Sequence, residues 1–295
     1  MLKGERNPNF GPPEYFENKM NDKIQKSADE LSLAITESPY VNNLDLLALR
    51  EMCFESKPFR HICIDGMWDE EFLSKVSNEV LDFDDWAGEK DFYGSKKKRW
   101  QADWDLLPPN TNSFLAYLNQ PTVLKIIEFL TGEEGLIADP YLEGGGIHST
   151  GEGGFLKLHT DFNWNKKLKL YRRINILVYL NKDWHLDFGG QIELAGKGAS
   201  GEFNTAVSLE PIFNRTVIFV TDDSSLHGQP NPVSHPHNKR RNSIAAYYYL
   251  SEKPSGTSAV KRTGTDYINE NGKRIRGIFL KRALNKIKRT LSINS

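Results

Sequence analysis

A histidine and an aspartate two residues apart, His159 and Asp161, are the clearest signs of chemistry in this sequence. They lie near the end of the segment GGFLKLHTDF, whose apolar residues and flanking turn residues are typical of a β-strand. Side chains alternate between the two faces of a strand, so both point to one face while Thr160 points away. On the inner face of a β-barrel, this pair would supply two ligands to one metal ion.

A third ligand must come from elsewhere, and the chain has seven histidines. His61 lies in a predicted strand at residues 58–66, far before the other candidates, and His185 follows the end of a strand. His235 and His237 lie in a proline-rich loop, whereas His227 follows the strand TVIFV and a short turn, where it can face back into the barrel. A site of two histidines and one carboxylate leaves three adjacent positions open on an octahedral metal. That arrangement suits Fe(II) that binds a bidentate organic acid and O2 together.

An arginine and a serine, Arg241 and Ser243, enter the last strong strand and share one face of it. Together they can hold a carboxylate through charge-assisted hydrogen bonds. A buried arginine is costly without a partner, so a ligand carboxylate at its tip is a natural explanation. The alternative for Arg240 and Arg241 is a surface arginine pair beside a strand.

The elements that must position these residues are strands without intervening helices, from about residue 139 onward. Short stretches rich in Val, Ile, Tyr and Phe alternate with turn residues there, which predicts an antiparallel sandwich or barrel. The strand segments are YLEGGGIHS, GGFLKLHTDF, RRINILVYLN, GGQIELAG, NRTVIFVTDD and RNSIAAYYYL. We predict three regions: a helical N-terminal extension (1–57), a domain (58–252) whose strand-rich core spans about 139–251, and a basic tail (253–295).

Before the strand-rich core, the sequence predicts a strand at residues 58–66, a helix opening at Asp69 and a helix over 122–131. The basic run at residues 96–99 is typical of a solvated face. After Glu270 the tail carries eight basic and no acidic residues, with apolar residues that favour an amphipathic helix. Such a helix would contact an anionic membrane, nucleic acid or a partner, or simply border the domain.

Composition excludes several classes of protein. The 295 residues carry 38 basic and 39 acidic side chains, which disfavours a globally basic nucleic-acid coat or an acidic disordered tail. Two cysteines, Cys53 and Cys63, cannot form a disulfide framework. No apolar run approaches the length of a membrane span, and the N-terminal residues contain no apolar stretch that could form the core of a signal peptide. We therefore expect a cytoplasmic protein.

The ordered motifs HTDF, RRINILVYLNKDW, GGQIEL, HGQPNPV and RRNSIAAYYY resemble those of the iron- and 2-oxoglutarate-dependent oxygenases. These motifs are similar to those of the prolyl 4-hydroxylase type, including the hypoxia-sensing prolyl hydroxylases, and the resemblance covers roughly residues 58–251. The resemblance implies a mainly β fold with flanking helices, a double-stranded β-helix or jelly roll. It also implies that His159, Asp161 and His227 are the iron ligands.

The same resemblance assigns the cosubstrate site. Arg241 would pair with the distal carboxylate of 2-oxoglutarate, Tyr179 would hydrogen-bond it, and Ser243 is compatible with that cradle. His148 stands near the place where related prolyl hydroxylases have a tyrosine close to the iron, so it would contact the cosubstrate or an iron-bound water, or compete for the metal. This departure weakens any inference of a prolyl substrate.

The implied reaction is hydroxylation of an unactivated C–H bond with decarboxylation of 2-oxoglutarate to succinate, using Fe(2+), O2 and ascorbate as reductant. Relatives that halogenate replace the carboxylate ligand with a small residue, so Asp161 predicts hydroxylation. Peptidyl proline, a sugar, a lipid or an amino acid remain possible primary substrates. The alternative is a zinc hydrolase or a jelly-roll binding module without oxygenase activity.

Overall fold

The computed structural model describes residues 13–197 and 203–267 of the chain. Five helices precede most of the strands: α1 Pro13–Thr36, α2 Leu46–Glu55, α3 Glu70–Asp82, α4 Pro109–Leu118 and α5 Pro121–Thr131. The strands are β1 His61–Asp65, β2 Gly88–Phe92, β3 Ser95–Gln101, β4 Ile137–Ala138, β5 Gly146–Thr160, β6 Trp164–Asn165, β7 Leu170–Tyr179, β8 Ile192–Lys197, β9 Phe203–Leu209, β10 Arg215–Val220, β11 Leu226–Gln229, β12 Arg241–Leu250 and β13 Asp266–Tyr267.

Local signals explain where α3 and α5 begin and end. The carboxylate of Asp69 accepts a hydrogen bond from the Phe72 amide at the start of α3, where acidic residues also face the positive end of the helix dipole. Helix α5 has Pro121 in its first turn and ends at Gly132, which adopts a left-handed conformation with φ 70°. Both predicted helices are therefore confirmed.

The strands pair antiparallel in the order β1-β10-β7-β12-β5-β11-β8-β9, and β3 and β13 also pair with β5. The first half of β5 pairs with β12 and β3, whereas its second half pairs with β11 and β13. Because β5 runs through both groups of strands, it joins the two sides of the jelly roll. The predicted jelly-roll fold with flanking helices is confirmed.

Alternation along β7 separates the core from the site. Ile174, Ile176 and Val178 are buried in the large hydrophobic core that the helices share with the sheet. The intervening side chains of Asn175, Leu177 and Tyr179 face the opposite side, and the first two line a cavity. The predicted division of this strand into two faces is confirmed, and it points the polar residues away from the helices.

The structure corrects two sequence predictions. YLEGGGIHS and GGFLKLHTDF are not two strands: residues 146–160 form one continuous strand, β5, which bends through a glycine-rich stretch that includes Gly153 at φ 69°. The basic run at residues 96–99 belongs to β3, which pairs with β2 and β5, so it is not simply a solvated face.

The predicted basic helix at the C-terminal end lies largely outside the described residues, which end at position 267. Among the described helices, none combines the length and the apolar character needed to cross a bilayer.

Candidate metal centre

His159, Asp161 and His227 converge at the point where β5 and β11 pair. His159 lies directly opposite His227 in the register of the two strands, and Asp161 follows the end of β5. One carboxylate oxygen, Oδ1, lies 3.6 Å from Nε2 of His159, and Oδ2 lies 3.2 Å from Nε2 of His227. All three candidate ligand atoms lie within 4.8 Å of one another. The structure thus brings the three sequence-predicted ligands together.

Hydrogen bonds fix which ring nitrogens face the centre. Nδ1 of His159 lies 2.8 Å from the carbonyl oxygen of Lys157, and Nδ1 of His227 lies 3.1 Å from that of Ser225. A carbonyl oxygen can only accept, so each Nδ1 carries a proton and each Nε2 is the ring nitrogen that faces the centre. Burial and the neighbouring His227 lower the pKa of His159, which keeps its ring neutral. These are the tautomers that a metal ligand requires.

The carboxylate of Asp161 is held by an arginine and an asparagine of β7. Nη2 of Arg172 lies 2.8 Å from Oδ2, and Nδ2 of Asn175 donates to the same oxygen at 2.9 Å. Nε of Arg172 in turn donates to the Asn175 amide oxygen. Burial opposes ionisation of Asp161, but the Arg172 guanidinium holds the pKa of the carboxyl well below its usual range. Asp161 is therefore an anion at neutral pH.

The donor set fits a divalent cation. Two imidazole Nε2 atoms and one ionised carboxylate converge on one place, with all three ligand atoms within 4.8 Å of one another. A cation satisfies all three electron pairs, and nitrogen and oxygen ligands without a thiolate suit Fe(II). Zinc accepts the same three ligands, so the metal site alone does not separate an oxygenase from a hydrolase.

Arg241 lies on β12 with its side chain buried, and it has no acidic partner in the described part of the chain. Its Nε donates to the carbonyl oxygen of Gly190 at 2.6 Å, and its Nη2 donates to the hydroxyl of Tyr179 at 3.1 Å. Gly190 adopts φ 74°, and a Cβ there would lie 3.1 Å from Cδ of Arg241. Glycine at this position therefore leaves room for the Arg241 side chain. The result is a buried guanidinium with a neutral tyrosine beside it.

Ser243 and His148 form one row with Tyr179 across the sheet. Ser243 lies opposite Tyr179 of β7 on one side and opposite His148 of β5 on the other. Both are buried and line the same cavity as Arg241 and the three metal-site residues. Among the described residues, the cluster able to hold a metal comprises only those three, so His148 is not part of it. Burial, with Lys98 nearby, lowers the pKa of His148 well below its usual range.

The cavity that joins these groups has a volume of about 310 Å³, at the small end for ligand sites. Its lining includes three basic residues that the sequence pattern did not indicate, Lys90 of β2, Lys98 of β3 and Arg172 of β7. Strict alternation of side chains along β7 would place Arg173 on the face that lines the site. A register shift between β7 and β12 removes Arg173 from the pairing, so Arg172 turns inward and Arg173 binds Glu133 instead.

Residues 145–249 match the family model described as the 2OG-Fe(II) oxygenase superfamily. HygX from Streptomyces hygroscopicus, solved with nickel, 2-oxoglutarate and hygromycin B, is 13% identical with a TM-score of 0.50, covering 74% of this chain and 97% of HygX. A Trichoplax adhaerens prolyl hydroxylase in complex with a hypoxia-inducible-factor peptide is 17% identical with a TM-score of 0.49, covering 77% and 92% of the two chains.

A Pseudomonas putida prolyl-4-hydroxylase is also 17% identical, with a TM-score of 0.46, covering 68% of this chain and 98% of its own. No curated protein matches the chain. At 13% identity, the likeness to HygX concerns the fold alone.

Proposed function

We propose that this chain, whose residues 145–249 match the 2OG-Fe(II) oxygenase superfamily model, is an Fe(II)- and 2-oxoglutarate-dependent dioxygenase that hydroxylates an unactivated C–H bond, in the manner of prolyl 4-hydroxylases. The observation that carries the proposal is that one cavity contains both a His-Asp-His cluster and a buried arginine without an acidic partner among the described residues. The proposed oxygenase domain spans residues 58–252, with residues 1–57 as a helical extension.

In this proposal the three side chains of the cluster hold Fe(II). When bound, the ferrous ion and 2-oxoglutarate together supply O2 activation and the oxidative decarboxylation that yields succinate. Nε2 of His159, Nε2 of His227 and one oxygen of Asp161 would be the ligand atoms of the metal. The carbonyl oxygens of Lys157 and Ser225 keep the two rings in the required orientation through the protons on Nδ1.

Arg241 binds the distal carboxylate of 2-oxoglutarate in this proposal, with Tyr179 and Ser243 as hydrogen-bond partners. The guanidinium lies in a low-dielectric site, where a charge-assisted bond to a carboxylate is strong and an unpaired charge is costly. Gly190 and the Tyr179 hydroxyl fix the plane of the guanidinium before any ligand arrives. A hydrolase would have no use for this cradle, and that favours the oxygenase over a zinc hydrolase or a binding module.

Three further parts of the proposal rest on the sequence and the family resemblance. The presence of Asp161 favours hydroxylation over halogenation, and ascorbate is the expected reductant. His148 is proposed to contact the cosubstrate. The cytoplasmic location and the contact of the basic tail with an anionic surface stay predictions.

The direct test is release of succinate from 2-oxoglutarate by the purified full chain with Fe(II), O2 and ascorbate and without a primary substrate. We expect slow turnover that requires Fe(II) and falls by more than about 100-fold in His159→Ala and Asp161→Ala. His237→Ala is the matched control, because this histidine is exposed in a loop. Absence of turnover in the wild type, or undiminished turnover in both ligand variants, would reject the proposal.

A further inference from the structure

Two polar side chains of β3 face the cavity and lack partners among the described residues. The hydroxyl of Ser95 is buried without a hydrogen bond, and the ammonium of Lys98 makes no hydrogen bond or ion pair within residues 13–197 and 203–267. Both residues line the cavity. They share a face because Lys97 between them adopts φ 50° and interrupts the pairing of β3 with β5.

Strand register places Lys98 at a defined position relative to Arg241. Thr150 of β5 lies opposite Arg241 of β12 on one side and opposite Lys98 of β3 on the other. The two cations therefore flank Thr150 on the same face, two strands apart, which corresponds to about 10 Å between their Cα atoms. Lys90 of β2 lies opposite Lys98 and also borders the cavity.

The charges around the cavity do not balance. Its lining contains four basic residues, Lys90, Lys98, Arg172 and Arg241, against the carboxylates of Asp161 and Glu143. Arg172 is paired with Asp161, and in the proposed function Arg241 binds the distal carboxylate of 2-oxoglutarate. The two charges of that dianion are offset by those of the divalent metal, so Lys98 receives no counter-charge from 2-oxoglutarate, and Asp161 is already paired with Arg172.

The environment of Lys98 favours binding of an anion. Burial and the like charges of Lys90 and Arg241 lower the pKa of Lys98 to about 7. Binding of an anion would restore the full charge of the ammonium and satisfy the Ser95 hydroxyl at the same time. Since both ends of 2-oxoglutarate already have partners, at the metal and at Arg241, the remaining ligand of the cavity is the primary substrate.

We propose that the primary substrate carries an acidic group, a carboxylate or a phosphate, which Lys98 and Ser95 bind on the β3 side of the cavity. This inference rests on the proposed function, because it assigns Arg241 to 2-oxoglutarate. The same cavity must accommodate both molecules, so the acidic group of the substrate lies beside the bound 2-oxoglutarate.

The test uses the full chain loaded with Ni(II), a redox-inert substitute for iron, and saturated with 2-oxoglutarate. Inorganic phosphate and acetate are the probes, and trace acetylation with acetic anhydride, read by mass spectrometry, reports the accessibility of each lysine. We expect phosphate or acetate to slow acetylation of Lys98 while Lys96, exposed on the same strand, is unaffected. Whether phosphate or acetate protects better distinguishes the two acidic groups.

Calorimetry with variants supplies the second readout. Lys98→Met weakens binding of the protecting anion by about tenfold or more, and Ser95→Ala weakens it by roughly three- to tenfold, whereas Lys96→Met has no effect. If anion binding is equal in Lys98→Met, the anion sits elsewhere, for instance on the metal, and the proposal is overturned. Because the labelling experiment uses the wild type, it still tests the proposal when a variant fails to fold.

The remaining outcomes separate this inference from the proposed function. If 2-oxoglutarate alone protects Lys98, or if Lys98→Met weakens 2-oxoglutarate binding as strongly as Arg241→Met, the lysine serves the cosubstrate and the inference is wrong. Binding of 2-oxoglutarate without any protection by millimolar anions overturns the inference alone. Failure of the nickel-loaded wild type to bind 2-oxoglutarate overturns both.

Discussion

Arg172 and Asp161 form a buried ion pair in which Nη2 of the guanidinium lies 2.8 Å from Oδ2 of the carboxylate. The guanidinium carbon also lies 3.4 Å from the centre of the Tyr247 ring, which limits where the arginine can move. With Asn175 donating to the same oxygen, Oδ1 is left without these donors. The pair thus orients the proposed carboxylate ligand before the metal binds.

Arg172→Met should weaken metal binding, because it removes the charge that holds Asp161 in place while it keeps much of the side-chain volume. We expect a loss of about 10- to 100-fold in affinity, typical of a residue that orients a metal ligand. Titration with Co(II), followed by its visible absorption, measures this loss. Lys166→Met, an exposed lysine in the nearby loop, is the control, and equal Co(II) affinity in both variants would show that Arg172 does not orient the ligand.

Arg241→Met should weaken 2-oxoglutarate binding to the metal-loaded protein by about 10- to 100-fold, the value of a hydrogen-bonded charge in a buried site. Tyr179→Phe should have a smaller effect, about tenfold, because it removes one neutral donor. Arg240→Met is the matched control, since the adjacent arginine donates to Ser149 on the other face of the sheet. Dissociation constants for 2-oxoglutarate, measured by calorimetry, report these effects. Equal values for Arg240→Met and Arg241→Met would show that Arg241 does not bind the distal carboxylate.

Glu79→Ala should destabilise the fold without touching the site. Helix α4 lacks a side-chain cap of its own, and the Glu79 carboxylate of α3 instead accepts hydrogen bonds from the backbone and side chains of Asn110 and Thr111. We expect the free energy of unfolding to fall by about 1–3 kcal/mol in urea titrations.

The control for this variant is Glu71→Ala in the same helix. Glu71 makes an exposed pair with Lys75, and its loss should lower the free energy of unfolding much less than the loss of Glu79. An equally small effect of Glu79→Ala would mean that the carboxylate does not join α3 to α4.

Local rules predicted the positions of His159, Asp161 and Arg241 because strand alternation fixes which side chains share a face. Short strands without helices between them predicted an antiparallel sandwich or barrel, the family resemblance implied the jelly roll, and α3 and α5 follow from their terminal residues. His227 was predicted by the turn after β10, and the structure places it opposite His159. These features depend on neighbours within a few residues of one another.

Lys98 and Arg172 could not be predicted in the same way. The inward position of Lys98 depends on pairing of β3 with the distant strand β5 and on an irregularity at Lys97, so a local basic run gave no indication of it. Arg172 displaces Arg173 from the inner face because the pairing of β7 with β12 shifts by one residue. Such bulges reverse the alternation from which sequence predictions are made.

The most direct measurement of the central claim is the visible charge-transfer absorption that Fe(II) chelated by a 2-oxo acid produces, recorded without O2. We expect the wild type to develop this band only when both Fe(II) and 2-oxoglutarate are present, and we expect His227→Ala to lose it while His237→Ala retains it. A wild type without the band, or a His227→Ala variant with an undiminished one, would show that these residues do not hold iron with 2-oxoglutarate.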